Sequence, residues 1–150
     1  MKLKVNLNMR QIIKYRGKCA GVWRKGDHLT YQNSDVIKQW SGSLSPEYTI
    51  VPGTLGRFLN VYDVDGKEIY TGDIVQYTHE DKYRYIVTWN NELMCYEGKC
   101  IDNGCNVQFL KSFLEKCRVV GNVFDNPKLL KGVNENGNKR RVCKPSRKEN

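Results

Sequence analysis

The stretch RYIVTWNNELMCYE (84–97) sets two runs of aromatic and β-branched residues around an Asn-Asn pair. Tyr85, Val87 and Trp89 alternate with Ile86 and Thr88, a period of two that suits a strand and excludes a helix. Asn90-Asn91 is the kind of pair that accepts two positive φ angles, so a type I′ hairpin is predicted there. Asp65-Gly66 inside NVYDVDGKEIY is a second turn signal, and Tyr70-Thr71-Gly72-Asp73 a tight bend. Further strands are expected over 20–25, 29–32, 47–51, 56–62, 67–70, 73–78, 83–89, 92–97 and 117–124. Nine Tyr and three Trp fit such pleated, half-buried surfaces. Helix is scarce. Phe109, Leu110, Phe113 and Leu114 predict one short amphipathic helix within 107–116, and Ser34 is a candidate N-cap for a second over 35–40. The fold class is mainly β (β-rich α+β), a small barrel or roll rather than a layered α/β fold.

A chain of 150 residues has room for one domain or two very small ones. No apolar run approaches the 18 or so residues of a membrane span. The opening stretch carries charges but no apolar h-region, so no secretory leader and an intracellular setting are expected. The net charge is +9, and a balance of that sign suggests a polyanionic partner. Its location matters more than its size. Residues 1–18 carry six basic residues and no acid, and residues 131–150 carry seven basic against two acidic. The stretch between is slightly acidic. The ending KGVNENGNKRRVCKPSRKEN is too poor in apolar residues to offset the entropy of ordering, so a disordered basic tail is predicted.

Six cysteines are present: Cys19, Cys95, Cys100, Cys105, Cys117 and Cys143. A disulfide framework is not expected without a leader. Four residues separate Cys95 from Cys100 and Cys100 from Cys105, so the close pairs of a zinc knuckle are missing, and no metal or other cofactor is expected. Asp63, Asp65, Glu68 and Asp73 crowd into eleven positions, but carboxylates at hairpin turns more often cap backbone donors than act as acid and base. His28 and His79 fall in turn-like sequence, and Cys95 lacks an orienting third group for a Cys–His pair. There is no P-loop, no G-x-G-x-x-G and no G-x-S-x-G. The chain is expected not to be an enzyme.

The segments YRGK (15–18), VWRKGD (22–27), TIVPGTLGRF (49–58), DVDGKEIYTGDIV (63–75) and VVGNVFDNPKLL (119–130) occur in an order that resembles the YopX family of bacteriophage and prophage proteins. The resemblance runs over about residues 14–130. Asn60-Val61 stands where the family usually has Gly-Leu, and the loop after Cys19 is short. The resemblance implies a compact β fold whose C-terminal part is an SH3-like barrel or roll. It implies an origin in a phage or prophage, a place in the cytoplasm of the bacterial host, and a generally unassigned role. The expected layout is a basic lead-in at 1–13, a domain at 14–130 divided near 58/59, and the tail from 131.

The shared motif has fold-specifying work to do. Gly66 suits a positive φ. Ile69 and Val75 are expected in the core, and Gly72-Asp73 in a bend where Asp accepts backbone N–H groups. Gly121, Asn122, Asn126 and Pro127 are expected to set the exit turn, with Leu129 and Leu130 docking back. Two binding functions compete. The favoured one is an interaction module for an unidentified host or phage protein. The alternative is nucleic-acid binding, with tail cations Lys139, Arg140, Arg141, Lys144, Arg147 and Lys148 on phosphates and Tyr77, Tyr83, Tyr85 and Trp89 stacking bases. No membrane partner is expected, and self-association would help complete a lean core.

Overall fold

In the computed structural model the described residues are 12–40, 43–80 and 82–131. Antiparallel strands dominate, and the chain divides into two compact units, Met1–Asn60 and Val61–Asn150.

The first unit contains β1 (Tyr15–Cys19), β2 (Val22–Tyr31), β3 (Ser34–Lys38), β4 (Glu47–Thr49) and most of β5 (Gly56–Tyr62). Their order in the sheet is β4-β3-β2-β1-β5. The hairpin β1–β2 turns on Ala20-Gly21, both at positive φ (47° and 79°), as a type I′ turn requires. The strands expected over 20–25 and 29–32, with His28 in a turn between them, are therefore one strand that begins at Val22 and runs through His28 to Tyr31. Residues 34–38, expected to open a helix, form β3 instead. The segment is barely a helical turn and a half long, and its centre is Val36-Ile37, a pair stiff at χ1 that suits a pleat. Pairing on both sides completes the choice, with Ile37 opposite His28 and Tyr48. Val36, Ile37, Ile50, Phe58 and Leu59 are buried in this unit.

The second unit holds the end of β5 and its hairpin partner β6 (Glu68–Tyr70), followed by β7 (Asp73–Tyr77), β8 (Arg84–Asn90), β9 (Cys95–Cys100), β10 (Asn106–Gln108), one helical turn α1 (Lys111–Leu114), β11 (Cys117–Asn122) and a 3-10 turn at Pro127–Leu130. The five-stranded sheet runs β10-β9-β8-β7-β11, and as ordered it does not close on itself. Ile69, Tyr70, Ile74, Val75, Val87, Leu114 and Cys117 form its core.

Two local expectations change here. Asn90 pairs with Cys95, leaving a four-residue loop rather than a turn on Asn90-Asn91. The Asn90 side chain itself shapes that loop by accepting the N–H groups of Glu92 and Leu93 at 2.9 and 3.0 Å, and Met94 takes the positive φ (53°). The helix expected within 107–116 shrinks to one turn, because Val107 and Gln108 pair with Gly98 and Glu97. That pairing has a reason in β9. A Cβ on Gly98 would stand 2.3 Å from the Phe109 ring, so the bare backbone is the seat on which Phe109 rests.

Candidate functional site

A single carboxylate organises the turn after β5. Asp63 is 6 % exposed. Its Oδ1 accepts the N–H groups of Asp65 and Lys67, both at 2.9 Å, and its Oδ2 accepts that of Val119 at 2.9 Å. Gly66 supplies the positive φ of the turn (78°). Asp65 pairs with Arg118 at 2.7 Å. Asp73, 1 % exposed, accepts the Tyr70 N–H at 2.8 Å, and Glu68 accepts the Tyr70 hydroxyl. Gly72 (φ 88°) donates to the Val87 carbonyl and accepts from the Val123 N–H. Each carboxylate of the cluster thus holds a fold-maintaining partner.

The exit turn is built from its own asparagines. Asn122 Oδ1 accepts the N–H groups of Phe124 and Asp125, and Asn126 Oδ1 accepts the Asn122 N–H. A Cβ on Gly121 would stand 2.6 Å from Asn126 Oδ1 and 2.9 Å from a Leu129 methyl. Pro127 then opens the 3-10 turn. Leu129 is half-buried, while Leu130, expected to dock, is exposed. Ile69 and Val75 are fully buried.

The aromatic residues expected to stack bases divide into two kinds. Tyr77 stacks on Phe113 at 5.0 Å, and Tyr85 meets Phe109 and Phe113 edge-on at 6.1 Å. Burial, with smaller contributions from Cys100, Tyr83, Cys117 and Glu80, raises the Tyr85 hydroxyl pKa. These two rings are packing residues. Tyr83 is half-buried with Lys82 5.1 Å from its ring. Trp89 is more open and crosses Tyr96 at 4.9 Å. Lys139, Arg140, Arg141, Lys144, Arg147 and Lys148 lie outside the described residues.

His28 Nε2 lies 2.7 Å from Asp35 Oδ1 across β2–β3. Cys19, Cys95, Cys100 and Cys117 carry free thiols, and Cys105, against expectation, is disulfide-bonded. Burial first, and the charge of Asp63 second, push the Cys117 thiol up to about 12, so it stays protonated and unreactive. His79 packs on Tyr77, while Cys95 accepts from the Gln108 amide. Among the described residues no group of three or more His, Cys, Asp or Glu is placed to hold a metal ion. No helix among the described residues is long and apolar enough to cross a membrane.

A concave site exists elsewhere. One end of the first unit's sheet carries a groove of about 460 Å³ lined by Ile12, Ile13, Lys14, Lys25, Asp27 and Trp40, with Gly26 and Gln39 completing it. Register explains its chemistry. Arg16 faces Lys25 and Lys18 faces Trp23 across β1–β2, while Asp27 faces Lys38 across β2–β3. Cross-strand partners share a face, so Arg16, Lys18, Trp23, Lys25, Asp27 and Lys38 lie on one side, while Arg24, 4.1 Å from the Tyr48 ring, lies on the other. Arg16 lies 4.7 Å from the Trp23 ring, Lys14 5.1 Å from Phe58, and Lys38 4.7 Å from Trp40. Trp40 is 67 % exposed, yet it is held: its indole N–H donates to Asp27. Asn60 anchors the opposite wall. At φ 57°, in the left-handed region, its amide accepts the Ile12 N–H and donates to the Ile12 carbonyl, both at 2.9 Å. Lys25, Gly26 and Asp27 fall in the VWRKGD segment, but the groove as a whole is no motif, because it assembles from segments 12–14, 25–27 and 39–40.

Two antiparallel sheets with almost no helix make this a mainly β protein. The family model described as YopX protein matches residues 3–131, and the chain belongs to that family. A search of curated proteins found no match.

Proposed function

We propose that the protein is a phage- or prophage-encoded, non-catalytic accessory protein of the host cytoplasm, and that its first unit binds nucleic acid at the Trp40 groove. The observation that carries this reading is the coincidence of charge with concavity. Residues 1–60 contain ten basic and three acidic residues, and the groove sets Lys14 and Lys25 beside an exposed indole. Cations on phosphates supply sequence-independent affinity, and aromatic faces supply stacking. The non-catalytic part is supported by the carboxylates, which are occupied in holding turns. The second unit is read as the SH3-like roll that the family resemblance implies, with short strands and a single helical turn.

Fluorescence anisotropy with labelled oligonucleotides tests the reading. Log K should fall linearly with log salt between about 50 and 300 mM, and Lys14→Ala with Lys25→Ala should flatten the slope by about 2. No binding to single or double strands at 50 mM salt would overturn it. A second reading, a protein-docking module, is supported by the β8–β9 loop, where Leu93 and Met94 are exposed beside Trp89. A partner retained from host lysate after nuclease treatment, and lost when Leu93 and Met94 become serine, would favour that reading.

A further inference from the structure

Resting on the nucleic-acid reading, we infer that the groove takes single strands, with one base stacked on Trp40 and the backbone running past Lys14 and Lys25. A duplex offers phosphates but hides its base faces, so it has no use for a flat indole. Here the most exposed ring of the cationic face is also one of the best positioned. Asp27 fixes the Trp40 indole through its N–H, and the Lys38 ammonium sits 4.7 Å from its centroid. A ring already held loses little freedom on binding, which favours its use as a platform. Lys14 and Lys25 line the same groove as Trp40 and are the cations assigned to the phosphates.

The remaining lining agrees with an unpaired nucleotide. Ile12 and Ile13 are exposed, apolar and adjacent to the ring, chemistry that covers a base or sugar edge and offers a phosphate nothing. About 460 Å³ lies in the range of small-ligand sites, enough for one or two nucleotides. Cation and ring together match the pattern by which single strands are held without base-edge readout.

The test uses the full chain with a fluorescein-labelled oligo-dT and a duplex of the same length, at 50 and 200 mM salt. Single strand should bind more tightly than duplex and quench tryptophan fluorescence. Trp40→Ala should weaken single-strand binding about 5- to 100-fold, the usual worth of one stacked base, and weaken duplex binding far less. Trp40→Phe keeps a ring and should retain most of the affinity. Circular dichroism confirms that both variants fold. Duplex binding as tight as single-strand binding, or Trp40→Ala indistinguishable from the native chain, overturns the single-strand inference and leaves the nucleic-acid reading standing. Absence of binding to either oligonucleotide overturns both. A nuclease-resistant protein complex lost in Trp40→Ala would assign the groove to a protein partner and overturn the inference.

Discussion

Asp63 and Cys117 form a buried couple in which burial first, and the carboxylate's charge second, governs the thiol. The carboxylate is held by three backbone N–H groups, and burial together with that charge raises the nearby thiol to about 12. The folded chain therefore keeps a proton that the unfolded chain, with an ordinary thiol near 9.0, gives up. Stability from this group is complete below about pH 9 and falls as pH rises toward about 12, by on the order of 1 kcal/mol per unit. Urea unfolding at pH 8 and pH 10.5 should show a steeper alkaline loss for the native protein than for Cys117→Ala. Equal losses would show that the thiol is not responsible. Asn60 makes a different kind of contribution. Glycine would keep its backbone angle but drop both bonds to Ile12, so Asn60→Gly should leave the fold intact and weaken ligand binding at the groove several-fold in an anisotropy titration. Unchanged affinity would separate Ile12 from the site.

The β9–β10 pair shows how an element is selected by what lies across from it. Gly98 leaves the space that Phe109 fills, and Phe109 then stacks near Phe113, 5.9 Å away. Gly98→Ala pushes a methyl into that ring and should cost about 1–3 kcal/mol by overpacking, read as a lower thermal midpoint. Phe109→Leu in the same chain should recover part of it, and an unchanged midpoint for the single variant would refute the packing account. Most elements could be read from alternation and turn residues, as β5 at 56–62 and the Asp65-Gly66 hairpin illustrate. Misread elements had non-local causes. In β3, five residues carry no periodicity to choose by, and pairing with both neighbours decides. In 107–116 the apolar spacing fits a helix equally well until Val107 meets Gly98. Ala20-Gly21 lacks the usual Asn or Asp of its turn class, so its signal was weak.

Charge is distributed by unit as well as by terminus. Residues 1–60 are strongly basic, 61–130 hold eight basic and eleven acidic residues, and the last twenty are basic again. Ending the chain after Lys131 removes six cations and two acids. That truncation should lower low-salt affinity and the salt slope while preserving the preference for single strands over duplex, measured by the same titrations. Loss of the preference would place the selective contacts in the tail. The candidate site is only half legible: cations and aromatics are visible in the composition, but nothing in the sequence marks Trp40, because the groove's lining comes from three separated segments. The tyrosines of β7 and β8, Tyr77 and Tyr85, are half-buried against Phe109 and Phe113. Strand β11 carries one more consequence. It pairs with β7 from the far end of the unit, and Val119 reaches Asp63 across 56 residues of chain. As the nascent chain leaves the ribosome, β7 emerges long before its outer partner, with a row of backbone donors and acceptors open to other chains. Completion of the second unit waits on its last strand, and a message cut short before Cys117 yields a sheet with a sticky edge.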